Sequence, residues 1–423
     1  MCHFGGCSPR RCLAAWLLLA AAALLGSSAA AGQPSPTFSH FVAAGDTWPA
    51  IAWRYVVDPQ ALRQANPHPN RQWQPAIGSA ILVPGADPAG RNGRLIRRAA
   101  GGLLALGLET GRPPWHLALQ NGRPHPYRPL LGEPLFVSGG ESPPSDLPAG
   151  LESFELSSVP ALPGRAIALR GRLSGEAQYH GSLAGSAVDI FSHEGRLVGL
   201  AATGAFFRPG DHELAVWPDG GPLWSQPLRF SAGEWISQTL TLTGGAAEID
   251  QAAIDAERER MFEIWNQRSR IPQWINPFQL PMQEFIGFSS PYGARRSYNG
   301  GPFRTYHEGV DFNAEGGAPV RAPAGGTVVL AEQLYVRGGA VIIDHGLGIY
   351  SGLYHLSEVI ARPGKLVAAG DLVGRVGTTG LSTGNHLHWD LLVAGYWVDG
   401  LAWNEEGLAC WVLAGWGQPC APA

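Results

Sequence analysis

Hydrophobic and polar positions along this 423-residue chain change rhythm several times. Leu13 to Leu25 is an unbroken apolar run. It follows Arg10 and Arg11 and precedes Ser28-Ala29-Ala30-Ala31. A basic start, a short apolar core and a small-residue exit read as a secretory signal over residues 1–31, cleaved near Ala31. An uncleaved anchor is the alternative, but the run falls short of the ~20 residues that a span needs. After a Pro/Ser-containing lead, residues 38–85 read as strand, turn, two short helices and strand. Asp46 or Thr47 can cap the first helix, and the second starts near Asp58-Pro59. A similar pattern recurs over residues 95–138, without the Asp-Thr turn and without a clear first strand. Residues 139–148 are a Gly/Pro/Ser linker.

Beyond the linker the rhythm becomes two-residue alternation with Gly/Pro punctuation. The runs are Ala166–Leu173, Ser186–Phe191, Arg196–Ala202, Glu213–Trp217, Pro227–Phe230 and Ser237–Leu242. Short strands at this spacing predict an Ig-like β-sandwich over residues 151–245, acting as a spacer or interaction module. Residues 248–270 carry a charged amphipathic helix, capped by Asp250, with Ile254, Met261 and Trp265 on or near one face. It is expected to pack on the last domain, residues 282–403. There Thr327–Ala331, Ala340–Asp344, Ser351–Leu356, Asp371–Val376 and His386–Val393 are candidate strands. The expected fold class is therefore mainly β. Residues 404–423 form a tail containing Cys410 and Cys420. In an oxidising compartment this pair is an expected disulfide, with two buried thiols as the alternative.

Composition adds little beyond this. Apolar residues are 45% and charged residues 15%, enough for globular cores, and the net charge of −4 shows no basic stripe for nucleic acid. Once the signal is removed, no membrane association is expected.

The candidate chemistry sits near the C-terminus. Five of thirteen histidines, His307, His345, His355, His386 and His388, lie in the last third of the chain. In a strand His386 and His388 share a face, about 6–7 Å apart along the chain. His307 and Asp311, four residues apart, share a face in an extended segment. Two imidazoles and a carboxylate make a three-ligand zinc site with one open position, the catalytic rather than the structural pattern. Glu308 follows His307, yet in a strand it points to the opposite face. His345 precedes a Gly-Leu-Gly turn and reads as structural.

Two resemblances sharpen these readings. Gly45-Asp46-Thr47, Ile51-Ala52, Tyr55, Leu62, Asn66 and Ile81-Leu82-Val83-Pro84 resemble a LysM module, a sugar-binding motif of cell-wall proteins. Residues 95–138 then look like a degenerate second copy, or a small spacer. The other resemblance is carried by Ser289–Arg296, His307-Glu308-Gly309-Val310-Asp311-Phe312, Pro319–Val329, Val341–Gly346, Leu353-Tyr354-His355-Leu356-Ser357 and Gly377–His388. These motifs are similar to the catalytic domain of lysostaphin/LytM-type zinc endopeptidases. That resemblance implies a Gly-rich antiparallel sheet and one zinc ion held by His307, Asp311 and His388. It makes His355 and His386 the non-ligand active-site histidines. Either of the two can take the water proton while the other hydrogen-bonds the oxyanion. Tyr298 and Tyr306 are nearby tyrosines without an assigned role.

The expected protein is a secreted enzyme of the cell envelope that cuts peptidoglycan peptides while LysM holds the glycan. One alternative is a catalytically silent wall-binding activator of other hydrolases. Others are a wall-binding adhesin with a structural metal, and a zinc amidase or carboxypeptidase.

Overall fold

The computed structural model describes residues 37–55, 57–68, 74–85, 93–97, 103–121, 123, 125–126, 134–138, 146–241, 250–267 and 269–421. The signal-like stretch 1–31, linker residues 139–145 and Ala99-Ala100-Gly101 lie outside them. The fold is mainly β. No helix among the described residues is long and apolar enough to cross a membrane.

The N-terminal unit runs β1 (Thr37–Phe41), α1 (Trp48–Arg54), α2 (Pro59–Ala65) and β2 (Ala80–Pro84), with β1 antiparallel to β2. Thr47 caps α1 through the Ala50 N–H, and Asp58 caps α2 through the Ala61 N–H. Trp48, Ile51, Leu62, Ile81 and Val83 close a small core. The unit is docked on the middle of the chain through Gln226, which accepts from Gly45 N at 2.8 Å and donates to the Asp46 and Pro75 carbonyls, both at 3.0 Å. A second unit runs β3 (Gly93–Arg97), α3 (Leu103–Thr110), α4 (Pro114–Gln120) and β4 (Pro134–Ser138), around Leu103, Leu106, Leu117 and Leu135. Its first strand, absent from the sequence reading, pairs antiparallel with β4.

The middle region holds β5 (Leu151–Leu156), β6 (Ala166–Leu173), β7 (Tyr179–Leu183), β8 (Ser186–His193), β9 (Arg196–Ala202), β10 (Gly210–Pro218) and β11 (Trp224–Phe230). They join in one antiparallel path, β11-β10-β7-β8-β9-β6-β5, continuous from end to end. The reason lies in β8, whose first residues pair with β7 and whose later residues pair with β9. The two ends of the path meet in one core, where Phe154 of β5 packs edge-on against Trp224 of β11. The run expected as the last sandwich strand, β12 (Ser237–Leu240), leaves this sheet. It pairs in parallel with a later strand, β14 (Arg295–Tyr298).

Then come α5 (Gln251–Trp265), β13 (Gly287–Ser290), β15 (Thr305–Tyr306), β16 (Gly309–Asn313), β17 (Pro319–Arg321), β18 (Gly326–Leu334), β19 (Gly338–Gly346), β20 (Ile349–Val359), β21 (Leu366–Val367), β22 (Leu372–Val376), β23 (His386–Val393) and β24 (Tyr396–Val398). Their main sheet has the order β13-β16-β23-β20-β19-β18-β21. Every residue of β19 is buried because both of its faces are covered. Val341 and Ile343 enter one core, while Ala340 and Ile342 meet Met261 and Trp265 of α5.

The expected tail, residues 404–423, instead holds an ordered helix, α7 (Leu408–Trp416), preceded by α6 (Gly400–Glu405). The cause is the apolar run Leu408-Ala-Cys-Trp-Val-Leu-Ala-Gly-Trp416, whose Val412, Leu413 and Trp416 share a core with Ala168, Val198 and Leu200 of the middle sheet. Residues expected as a spacer therefore share apolar surface with the C-terminal region. Cys410 and Cys420 are disulfide-bonded, with Cα atoms 5.2 Å apart.

Candidate metal centre and active site

Strand register brings the first two groups together. β16 and β23 are antiparallel neighbours, and Asp311 lies opposite His388. The His388 Nδ1 atom is 2.8 Å from Asp311 Oδ1. His307 lies just ahead of β16 and is held by another pairing. Its N–H donates to Ala294 O, and its carbonyl accepts from Gly293 N. Its Nδ1 is 3.1 Å from the Pro291 carbonyl, so that nitrogen carries the proton. The free Nε2 then faces Asp311 Oδ1 at 3.1 Å and His388 Nδ1 at 3.0 Å. One ligand atom from each of the three residues lies within 4.8 Å of the others. Gly309 leaves the necessary room: a Cβ there would stand 2.4 Å from Trp389 O and 2.6 Å from His388 Nε2.

His355 and His386 flank this cluster, with ring centroids 4.7 Å apart. Each is oriented through Nδ1, which donates to Thr379 O in His355 and to Gly384 O in His386, both at 2.8 Å. Both Nε2 atoms are thereby left as acceptors. His386 Nε2 is 3.9 Å from Asp311 Oδ1, so the His386/His388 face-sharing read from the sequence is present in β23.

The electrostatics suit a cation. Burial holds the His388 imidazole down, to about 3, against the opposing pull of Asp311. Burial also lowers His355, so both rings are neutral at pH 7. Burial alone would raise Asp311, but its contacts with His307 and His388 outweigh it and keep the carboxyl ionised, well below its usual range. His307 Nε2, His388 Nδ1 and one Asp311 oxygen converge with too few protons to satisfy each other. That donor set fits a zinc ion. Glu308 is outside the cluster; burial, then Asp390, pushes its carboxyl up to about 7.

Residues 305–400 match the family model described as Peptidase family M23. The chain carries an M23 peptidase domain. Over 132 residues it is 36% identical to an uncharacterized metalloprotease of Haemophilus influenzae, covering 30% of this chain and 27% of that protein. It is 35% identical over 126 residues to the DD-carboxypeptidase/endopeptidase Mpg of Neisseria meningitidis, covering 30% and 29%. With the peptidoglycan DD-endopeptidase ShyA of Vibrio cholerae it shares 36% over 98 residues, 23% of each chain. The matches thus span less than a third of these relatives. Among solved structures, the catalytic domain of the M23 protein EnpA from Enterococcus faecalis has 29% identity and a TM-score of 0.26, covering 30% of this chain and 94% of that one. The lysostaphin catalytic domain from Staphylococcus simulans has 27% identity and a TM-score of 0.23, covering 31% and 89%.

Three side chains around the M23 site stand in the sequence motifs without a role assigned to them. Tyr354 stacks on His388, its ring centroid 5.7 Å away and its plane inclined by 23°. Being next to His355, it was within reach of a motif argument. The two tyrosines noted in the sequence lie elsewhere: Tyr306 packs on Phe206 and Tyr292, and Tyr298 is exposed. Arg296 Nη2 lies 3.8 Å from Asp311 Oδ2 and 3.4 Å from Ser290 Oγ. Ser290 in turn donates to Gln238 of β12. Nothing in the local sequence announces that contact, because it depends on β12 joining β14.

Proposed function

We propose that this chain is a secreted, zinc-dependent endopeptidase that hydrolyses peptide bonds in bacterial peptidoglycan. The N-terminal βααβ units, read as LysM-like, hold it to the wall glycan, so that binding raises the local concentration of substrate. The observation that carries the reading is the convergence of His307, Asp311 and His388 on one point, beside the open Nε2 atoms of His355 and His386. The names of relatives such as ShyA support the substrate class.

The M23 residues divide the work. His307 Nε2, His388 Nδ1 and an Asp311 oxygen would hold the zinc, and Arg296 steadies the second Asp311 oxygen. Bound there, zinc would supply Lewis acidity, which lowers the pKa of water to about 7. His355 and His386 present bare Nε2 atoms to the same space. One accepts the proton of the attacking water, and in its protonated form can deliver it to the leaving amine. The other, once protonated, donates to the oxyanion that develops on the scissile carbonyl.

Purified peptidoglycan incubated with the protein, with and without a zinc chelator, tests this. New peptide termini seen by mass spectrometry only without chelator support the endopeptidase. Unchanged peptidoglycan in both arms rejects it in favour of a silent wall-binding activator.

A further inference from the structure

Glu257 sits on α5, upstream of the residues that match the M23 family, in a helix whose other acidic residues face outward. It is only 6% exposed. Its Oε2 accepts from Val336 N and its Oε1 from Arg337 Nη1, both at 2.7 Å. Val336 and Arg337 belong to the turn between β18 and β19. On the far side of that turn the Arg337 carbonyl accepts the His355 N–H at 2.9 Å. His355 lies where β20 slips register against β19, with φ at 63°. A non-glycine residue stays in that left-handed region only when its neighbours hold it there. The neighbours here are the Arg337 carbonyl on the backbone and the Thr379 carbonyl on Nδ1. The Arg337 guanidinium also lies 5.2 Å from the centroid of the Tyr354 ring that stacks on His388.

We infer that Glu257 is a positioning residue for His355, and that α5 is a working part of the active site rather than a linker. By clamping both the backbone and the side chain of the 336–337 turn, the carboxylate fixes the carbonyl that holds His355 in its strained conformation. The inference rests on the reading of His355 as a proton-handling residue of an M23 peptidase. Helix α5 has independent attachments, through Met261, Trp265 and the paired hydrogen bonds from Arg260 to Glu332. Glu257→Gln therefore removes the charge and leaves the helix docked.

The test uses Glu257→Gln in the full chain loaded with zinc, assayed on cross-linked muropeptide dimers. The expected kcat falls about 10- to 100-fold, with KM little changed, as for a catalytic group displaced by about 1 Å. Zinc content stays at that of the parent chain. A second readout does not need turnover: the downfield Nδ1–H resonance of His355 in 15N-histidine-labelled protein, assigned by its loss in His355→Ala. It should move or broaden in Glu257→Gln while the His307 Nδ1–H resonance stays. An unmoved His355 resonance overturns the inference whether or not dimers are cut. Loss of zinc or of the fold in Glu257→Gln also overturns it, because the carboxylate would then support the structure at large. If the parent chain cuts no dimer but the His355 resonance moves in the variant, the positioning contact stands and the peptidase reading fails.

Discussion

His345 and the His307–His388 pair belong to the same region, yet their ring nitrogens face opposite situations. His345 is 0% exposed and fully matched. Its Nδ1 donates to Gly325 O at 2.8 Å, and its Nε2 accepts from Ser351 Oγ at 2.9 Å. Trp389 Nε1 donates to the same hydroxyl at 3.3 Å, completing a one-way relay of protons. His307 and His388 instead aim nitrogens at each other and at one carboxylate oxygen, with too few protons to go round. Burial and polarity are common to both places. What separates them is the donor-to-acceptor balance: a matched histidine holds a fold together, whereas a surplus of converging acceptors leaves a place for a cation.

The contrast can be broken most decisively at His307. His307→Ala should reduce bound zinc and peptidoglycan cleavage together to background, measured by metal analysis and mass spectrometry of digests. Retained zinc at parental stoichiometry would remove His307 from the ligand set. Next in size is His386→Ala, which should keep the metal and lower kcat by about 10²- to 10⁴-fold, the usual weight of a proton-transfer residue. Near-normal turnover would reassign that role.

On the structural side the expected effects are smaller and appear in stability. Burial holds the His345 imidazole down to about 4, against an ordinary value near 6.5. A group depressed in the folded state takes up its proton on unfolding. Its contribution is therefore whole above about pH 6.5 and disappears as the pH falls toward 4, a loss of about 3 kcal/mol across that window. Urea midpoints at pH 7 and pH 4.5 should show His345→Asn losing much less stability on acidification than the parent chain. Equal losses would mean that His345 is not the buried neutral group described. The smallest effect is expected from Ser351→Ala, about 1 kcal/mol of stability with zinc binding untouched. A change in metal affinity would show that the two histidine sets are coupled through Trp389.

Much of the site was legible because strand geometry is local. His386 and His388 share a face for any partner, since side chains alternate along an extended backbone. The same reasoning separated Glu308 from the cluster, and the turn after His345 marked that residue as structural. The strands Arg196–Ala202 and His386–Val393 were read at the ends they have in the structure. Less legible were features made by distant segments. β12 was counted with the middle strands because its alternation is ordinary; its parallel pairing with β14 is a tertiary choice. Helix α7 lies in the expected tail, residues 404–423, because its apolar run is short and has no partner nearby in sequence. Arg296 lies in a motif that gives it no role and Glu257 lies in none, and each matters only through what a distant element places beside it.

The amino-acid order by itself determined which side chains lie on common strand faces, and hence that two imidazoles and a carboxylate were available as a set. Only the tertiary structure decided which ring nitrogen of His307, His355 and His386 is left open, since Pro291, Thr379 and Gly384 each claim the other through carbonyls brought up by folding. It also decided that His355 is held left-handed by a turn braced from α5, and that the middle sheet shares a core with the C-terminal helices. The division follows from the range of the forces. Alternation is a property of a few consecutive peptide units, whereas hydrogen-bond direction and shared apolar burial depend on groups that meet only when the whole chain has closed.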